Sequence, residues 1–422
     1  MLKSIINQSV LKIFNYFLSI LILSIISKNF GIEVLSEYFI CLHFLLALSG
    51  VCIFGFSLTS QIHIPKSNKY EYYNFIENSF YLLVSLCFIV VAVLMLIFFF
   101  KNNLFFIFNN LNNFQYLILS IPLYAILYFF IEILRGRGQL IISQTIILIM
   151  YPIIFLLILG YIVYEESVID ISYFYLIFFL TNLFLSSLLI IDFLLNKRIV
   201  LQNRINFRKI FYLFKNQFLF FINSHLVLMS IYMYTFIFKF HDYIQEISYF
   251  NISIMIASLV GLPLIFLNNK YTRVFSINMD LKTNNLNIIL FKNISKISFI
   301  FGILISFLLI VFLFFFSNKL FNINLDIIYF ALIIIMISFC INNYFGPNQI
   351  FLSINNKLKV ISLAILFSLS ISFLFGIFFI KFYGIIGAAI AFLLYQLIIN
   401  IILSIYIYKN FYFNPFLLWS LK

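Results

Sequence analysis

The chain has 422 residues, of which 64% are hydrophobic and only 9% charged, against about 45–50% and about 25% in an average soluble domain. A water-soluble fold would have nowhere to place so much apolar surface, so the composition points to a bilayer. The formal charge of +13 is not a nucleic-acid signal, because the basic residues form no single patch and interleave with no exposed stacking platform.

A bilayer-crossing helix needs roughly 20 mostly apolar residues. Twelve stretches qualify as spans. The first six are Val10–Phe30, Leu35–Ile62, Phe75–Phe100, Phe114–Leu134, Leu140–Val163 and Ile171–Leu195. After a polar gap come Ile210–Phe238, Ile247–Leu267, Ile294–Phe316, Leu325–Phe345, Val360–Ile380 and Gly384–Tyr408. Lys3 and Lys12 ahead of the first run resemble the basic region of a signal peptide. No small-residue cleavage site follows, so that run is expected to stay as the first span. The runs are continuous rather than alternating, which excludes a transmembrane β-barrel. Cys41, Cys52, Cys87 and Cys340 lie within apolar runs and read as small core residues. Pro122, Pro152 and Pro263 interrupt backbone hydrogen bonding and mark expected kinks.

The basic residues set the direction. With the N-terminus cytoplasmic, only Lys28, Lys101, Lys239, Lys319 and Lys381 of the 26 Lys and Arg fall on the outer side. A shift of one span destroys this asymmetry, so the positive-inside rule predicts both termini in the cytoplasm. The longest loops, Asn196–Lys209 and Asn268–Asn293, are basic and too short to fold alone. No outer loop is large enough to house the chemistry of a membrane glycosyltransferase or polysaccharide polymerase. No Ser/His/Asp set, phosphate-cradling glycine loop or metal-ligand spacing occurs either. The chain is therefore expected to be neither an enzyme nor a cofactor or metal binder.

The loop Asn196–Lys209 divides the spans into two groups of six, giving expected lobes at residues 1–200 and 201–422. Leu35-Ser36-Glu37-Tyr38-Phe39-Ile40 opens span 2, and Ile247-Ser248-Tyr249-Phe250-Asn251-Ile252 opens span 8 in the same order. Because six is even, both lobes start on the same side. The expected architecture is an all-α polytopic membrane protein, about twelve helices in two six-helix lobes around a central cavity. Transporters of that build alternate access by rocking one bundle against the other.

Tyr383-Gly384-Ile385-Ile386-Gly387-Ala388-Ala389-Ile390-Ala391 resembles the last-span signature of polysaccharide and O-antigen flippases of the multidrug/oligosaccharidyl-lipid/polysaccharide exporter superfamily. Gly384, Gly387, Ala388 and Ala391 are spaced to form one smooth helix face. Phe30 to Phe39, Ser248–Pro263 and Asn348–Val360 are similar to the family's first outer loop, second-lobe entry and turn between spans 10 and 11. The resemblance implies a MATE-like fold in a bacterial inner membrane. It further implies a monomer that moves a polyprenyl-pyrophosphate-linked oligosaccharide to the outer leaflet, among membrane lipids and beside polysaccharide polymerase and assembly proteins. The first half has no counterpart of the Gly384 motif near Gly160. Ser36 and Ser248 stand where the family often has glycine, and His225 where many members carry an acid. A multidrug or cation antiporter of the same superfamily is the alternative, although Val10–Phe30 lacks the acid or proline it would usually show. A sugar-chain polymerase or ligase comes third.

Ionisable groups inside spans are functional candidates, because hydrocarbon disfavours them. Lys12 and Lys215, in the first turns of spans 1 and 7, are expected to attract pyrophosphate or an acidic sugar; the alternative is snorkelling to the headgroups. His225 and His43 are candidates for proton coupling or else packed histidines. Gln217 and Asn223 add polarity to span 7, though Asn223 does not share a face with His225. Arg135 and Arg273 belong to a basic cytoplasmic cluster suited to lipid heads and pyrophosphate. Glu132 and Arg135 read first as a local ion pair. Asn342, Asn343, Gln396 and Asn400 suit either sugar hydroxyls or helix–helix bonds.

Overall fold

The computed structural model of the protein describes residues 2–99, 113–165, 171–195, 207–268, 284–321, 325–355, 357–411 and 415. Its long segments are all helical, and no strand occurs among the described residues. Ten of these helices are long and apolar enough to cross a bilayer. Two of them, Val10–Ile53 and Leu358–Phe411, run to 44 and 54 residues, about twice the roughly 20 that one crossing needs. Each is interrupted by one glycine with non-helical backbone, Gly31 at φ 88° and Gly384 at φ 52°. Counted on either side of these glycines, the ten helices become the twelve spans expected.

The chain divides into two compact units, Met1–Leu228 and Met229–Lys422. The division falls within the helix Phe207–Phe240. The expected lobe boundary at residues 200 and 201 lies outside the described residues.

In the first unit the abundant phenylalanine packs between helices. Tyr38 of span 2 meets Phe155, Phe174 and Phe178 with ring centroids 5.6–5.8 Å apart, and all four side chains are buried. Aromatic pairs at such separations add to the burial of area itself. Span 2 ends earlier than its apolar run. Phe54 and Gly55 both take positive φ, at 45° and 74°, and a separate short helix, Phe56–His63, follows. Hydrophobicity continues across this break, which is why composition alone carries the span to Ile62.

The prolines act locally. Pro152 has no amide and crowds the carbonyl four residues before it. The helix accommodates it with a π-helical turn over Ile146–Met150, directly ahead of Tyr151–Glu165. Pro263 likewise follows a 3-10 turn, Leu259–Gly261. Asn343 Nδ2 donates to the Val260 carbonyl in that turn at 2.7 Å, replacing a helical partner with a side chain from span 10.

In the second unit, polar side chains join helices. Ser372 Oγ donates to the Ala391 carbonyl at 2.7 Å, so the 2.6 Å bond between Ser372 and Tyr234 must have the tyrosine as donor. Asn400 Nδ2 reaches Asn342 Oδ1 at 3.2 Å, and Asn348 Nδ2 reaches Ser404 Oγ at 2.9 Å. Asn342, Asn343 and Asn400 thus serve helix–helix bonding. The small residues of span 12 play two roles. Ala388 and Ala391 are fully buried, and a side chain at Gly387 would strike the Phe379 and Ile380 backbone of span 11. Gly384 is not on that face. It forms the turn between the two spans, where any side chain would overlap the Glu246 carboxylate.

Candidate functional site

The sequence-predicted polar residues fall into two groups, both within the first unit. The first gathers at the end of span 4. Glu132 is fully buried there. Its Oε1 accepts from Arg135 Nη1 at 2.5 Å, and its Oε2 accepts from Gln61 Nε2 at 3.1 Å. The Arg135 side chain remains 20% exposed, with its guanidinium 5.9 Å from the Tyr128 ring centre. An isolated carboxylate would be strongly disfavoured in this position, and a partnered one is tolerated. Lys12 is half-buried in span 1. Arg135, paired with the buried acid on one side and partly exposed on the other, keeps guanidinium donors that an added anion can reach.

The second group lies along the first half of span 7. Gln217, Phe221 and His225 are spaced four apart and so share one helix face. That face rests on the end of span 2. A Cβ at Gly55 would come within 2.6 Å of the Phe221 backbone nitrogen and 2.9 Å of the Gln217 carbonyl. At Gly50 it would come within 3.0 Å of His225 Nδ1. Phe54 stacks on both Phe214 and Phe221, at 4.3 and 4.6 Å. The His225 ring lies nearly parallel to that of Phe221, 5.1 Å away. Glycine at position 55 lets the two segments meet backbone to backbone, and glycine at position 50 leaves room for the His225 ring. Two polar atoms on this face, Gln217 Nε2 and His225 Nδ1, are buried without a hydrogen-bond partner among the described residues. Such atoms ordinarily find a partner, and here a bound water or solute could provide one.

The remaining candidates stand apart. Lys215 is exposed. Asn223 is buried, and His43 is buried beside Phe39 with ring centroids 6.1 Å apart. Arg273 lies outside the described residues. The structure therefore joins Arg135 to Glu132 and Gln61, and sets Gln217 and His225 on one helix face. It also adds participants that sequence reasoning passed over. Gln61 completes the Glu132 site, Glu77 is a second buried acid in the first unit, and Glu246 accepts from the Ile385 amide at the Gly384 turn. The available signal for Glu77 and Glu132 was their place inside long apolar runs, where an acid needs a partner.

No protein-family model matches the chain, and no curated protein does. Solved structures do. One, described as the inward-facing conformation of a multidrug resistance MATE family transporter of the MOP superfamily, is 14% identical with a TM-score of 0.66. The match covers 95% of this chain and 97% of that one. Another, a ligand complex of the MATE multidrug transporter DinF-BH, is 14% identical with a TM-score of 0.59, over 97% of this chain and 96% of that one. The protein thus has the fold of MATE transporters, nearly end to end.

Proposed function

We propose that the protein is a transporter that moves a polyprenyl-pyrophosphate-linked oligosaccharide, such as an O-antigen or capsule repeat unit, across a bacterial inner membrane by alternating access. The observation that carries this reading is the partly exposed Arg135 guanidinium at the end of span 4, with Lys12 half-buried in span 1 as a second basic residue inside the first unit. The buried acid nearby, Glu132, is already held by Arg135 and Gln61. A site with this balance favours an anionic cargo, and a pyrophosphate is a dense anion that a guanidinium and an ammonium bind well. Gln217 and His225 offer unpartnered polar atoms suited to sugar hydroxyls. In this reading Lys215, Asn223 and Arg273 contribute to recognising the cargo, and His225 or His43 couples transport to protons. Both termini are cytoplasmic, and polysaccharide polymerase and assembly proteins are the functional partners.

Deletion of the gene in a host that makes the glycan tests the reading. Lipid-linked glycan should accumulate on the cytoplasmic face, and the Lys12→Ala, Lys215→Ala double variant should do the same at normal protein level. Intact export in the double variant would remove these lysines from the account. A second reading, a multidrug antiporter, is favoured by the descriptions of both matched structures. It predicts that deletion sensitises cells to cationic dyes and leaves the glycan unaffected.

A further inference from the structure

An open groove of about 680 Å³ lies at one end of the first unit, between two turns. One turn joins the short helix Phe56–His63 to span 3, and the other joins spans 4 and 5. Among the described residues, its lining holds three cations, Lys69, Arg135 and Arg137, and no carboxylate. The acids closest in sequence already have partners. Glu71 closes a reciprocal cap with Asn68, accepting from the Asn68 amide at 3.2 Å while its own amide donates to Asn68 Oδ1 at 2.9 Å. Glu132 holds Arg135. Arg137 is exposed, and its guanidinium is held over the buried Tyr72 ring, 4.6 Å from the centroid. Its planar donors are thereby oriented into a fixed site. Gln139, also in the lining, has a buried Oε1 with no hydrogen-bond partner. That oxygen accepts and cannot donate, so it calls for a hydroxyl or ammonium donor.

We propose that this groove binds the headgroup of an anionic phospholipid. The lipid phosphate sits between Lys69, Arg135 and Arg137, and a headgroup hydroxyl donates to Gln139 Oε1. The placement supports this, since both turns cap helices of membrane-crossing length and so lie at headgroup level. The chemistry supports it as well, because a phosphodiester carrying a glycerol hydroxyl satisfies both the cations and the orphan acceptor. The groove shares Arg135 with the proposed cargo site, but Lys69, Arg137 and Gln139 belong to the groove alone, so a test on those residues fails or succeeds separately from the flippase reading.

The test is thermal stabilisation of the purified full chain in neutral detergent, titrated with phosphatidylglycerol, phosphatidylcholine or inorganic phosphate. Phosphatidylglycerol should stabilise saturably, and the other two should not. The Lys69→Gln, Arg137→Gln double variant should weaken that response by at least roughly tenfold in midpoint concentration. Both side chains are exposed, so the variant should fold with only the small loss of stability that goes with the Arg137–Tyr72 contact, and each lipid response is read against that protein's own lipid-free melting temperature. Lys381→Gln, which removes an exposed cation in the second unit, should retain the full response. Gln139→Leu should lower the preference for phosphatidylglycerol over phosphatidic acid, which lacks the glycerol hydroxyl. Equal stabilisation by phosphatidylcholine or by inorganic phosphate would overturn the proposal. So would a Lys381→Gln loss as large as that of the groove variant, which would show diffuse charge attraction in place of a site.

Discussion

Substituting alanine at Gly55 should reveal how tightly span 7 is seated on span 2. Gly55 has φ 74°, and a Cβ there would come within 2.6 Å of the Phe221 nitrogen and 2.9 Å of the Gln217 carbonyl. Both obstacles are backbone atoms, so neither can turn aside. Two costs therefore combine. A side chain at left-handed φ costs about 1–2 kcal/mol, and overpacking a close contact costs typically about 1–3 kcal/mol more. Gly138 separates them. It has φ 80° but nothing within 4 Å of its hypothetical Cβ, so Gly138→Ala should carry only the first cost. Gly55→Ala should then destabilise by about 2–5 kcal/mol in all, and Gly138→Ala by about 1–2 kcal/mol. Reversible unfolding of the purified protein in mixed micelles, followed by far-UV circular dichroism, would measure both. Equal losses in the two variants would refute the backbone-to-backbone contact between spans 2 and 7.

Other positions carry their own expectations. Gly50→Ala should crowd His225, and adding His225→Ala should restore much of the lost stability; a double-mutant cycle with no coupling would contradict their contact. Glu132→Ala leaves Arg135 and Gln61 without their shared acceptor and should cost about 1–3 kcal/mol, discounted for the partial exposure of Arg135. The same unfolding assay would read it. Ser372→Ala should destabilise more than Tyr234→Phe, because it strands both the Tyr234 hydroxyl and the Ala391 carbonyl; each lost bond is worth about 1 kcal/mol. The reverse order would show that the tyrosine hydroxyl is not the donor. If His225 couples transport to protons, the dependence of export on pH between about 5 and 8 should flatten in His225→Gln. An unchanged profile in transport assays would exclude that role.

The long apolar runs made the spans readable, and the distribution of Lys and Arg predicted an orientation for them. The breaks were less readable. The breaks at Gly31 and Gly384 were an exception, since the expected spans divide at Phe30/Leu35 and Ile380/Gly384; what composition did not show is that helix runs up to each glycine on both sides. The end of span 2 at Phe54–Gly55 is hidden because the following helix is also apolar. The Gly384 motif was legible as a small-residue face, but its first member proved to be a turn beside Glu246. Residue type likewise leaves open whether an asparagine binds a sugar or another helix. Asn342, Asn343 and Asn400 were divided from the candidate site only when their partners were in view. The site itself was legible as a set of membrane-embedded polar residues. Its grouping was not, because Gln61 meets Glu132 only after segments far apart in the chain have packed together.

Reconstitution tests the proposed transport most directly. Proteoliposomes carrying the purified protein and a fluorescent polyprenyl-pyrophosphate oligosaccharide can be treated with an externally added, membrane-impermeant glycosidase. About half of the lipid should be cleaved at once in protein-free vesicles, and nearly all of it when the transporter is present. The Lys12→Ala, Lys215→Ala variant should return the plateau towards half. A plateau that stays at half with the wild-type protein, in vesicles where the same preparation accumulates a cationic dye, would contradict the flippase account and support the multidrug reading.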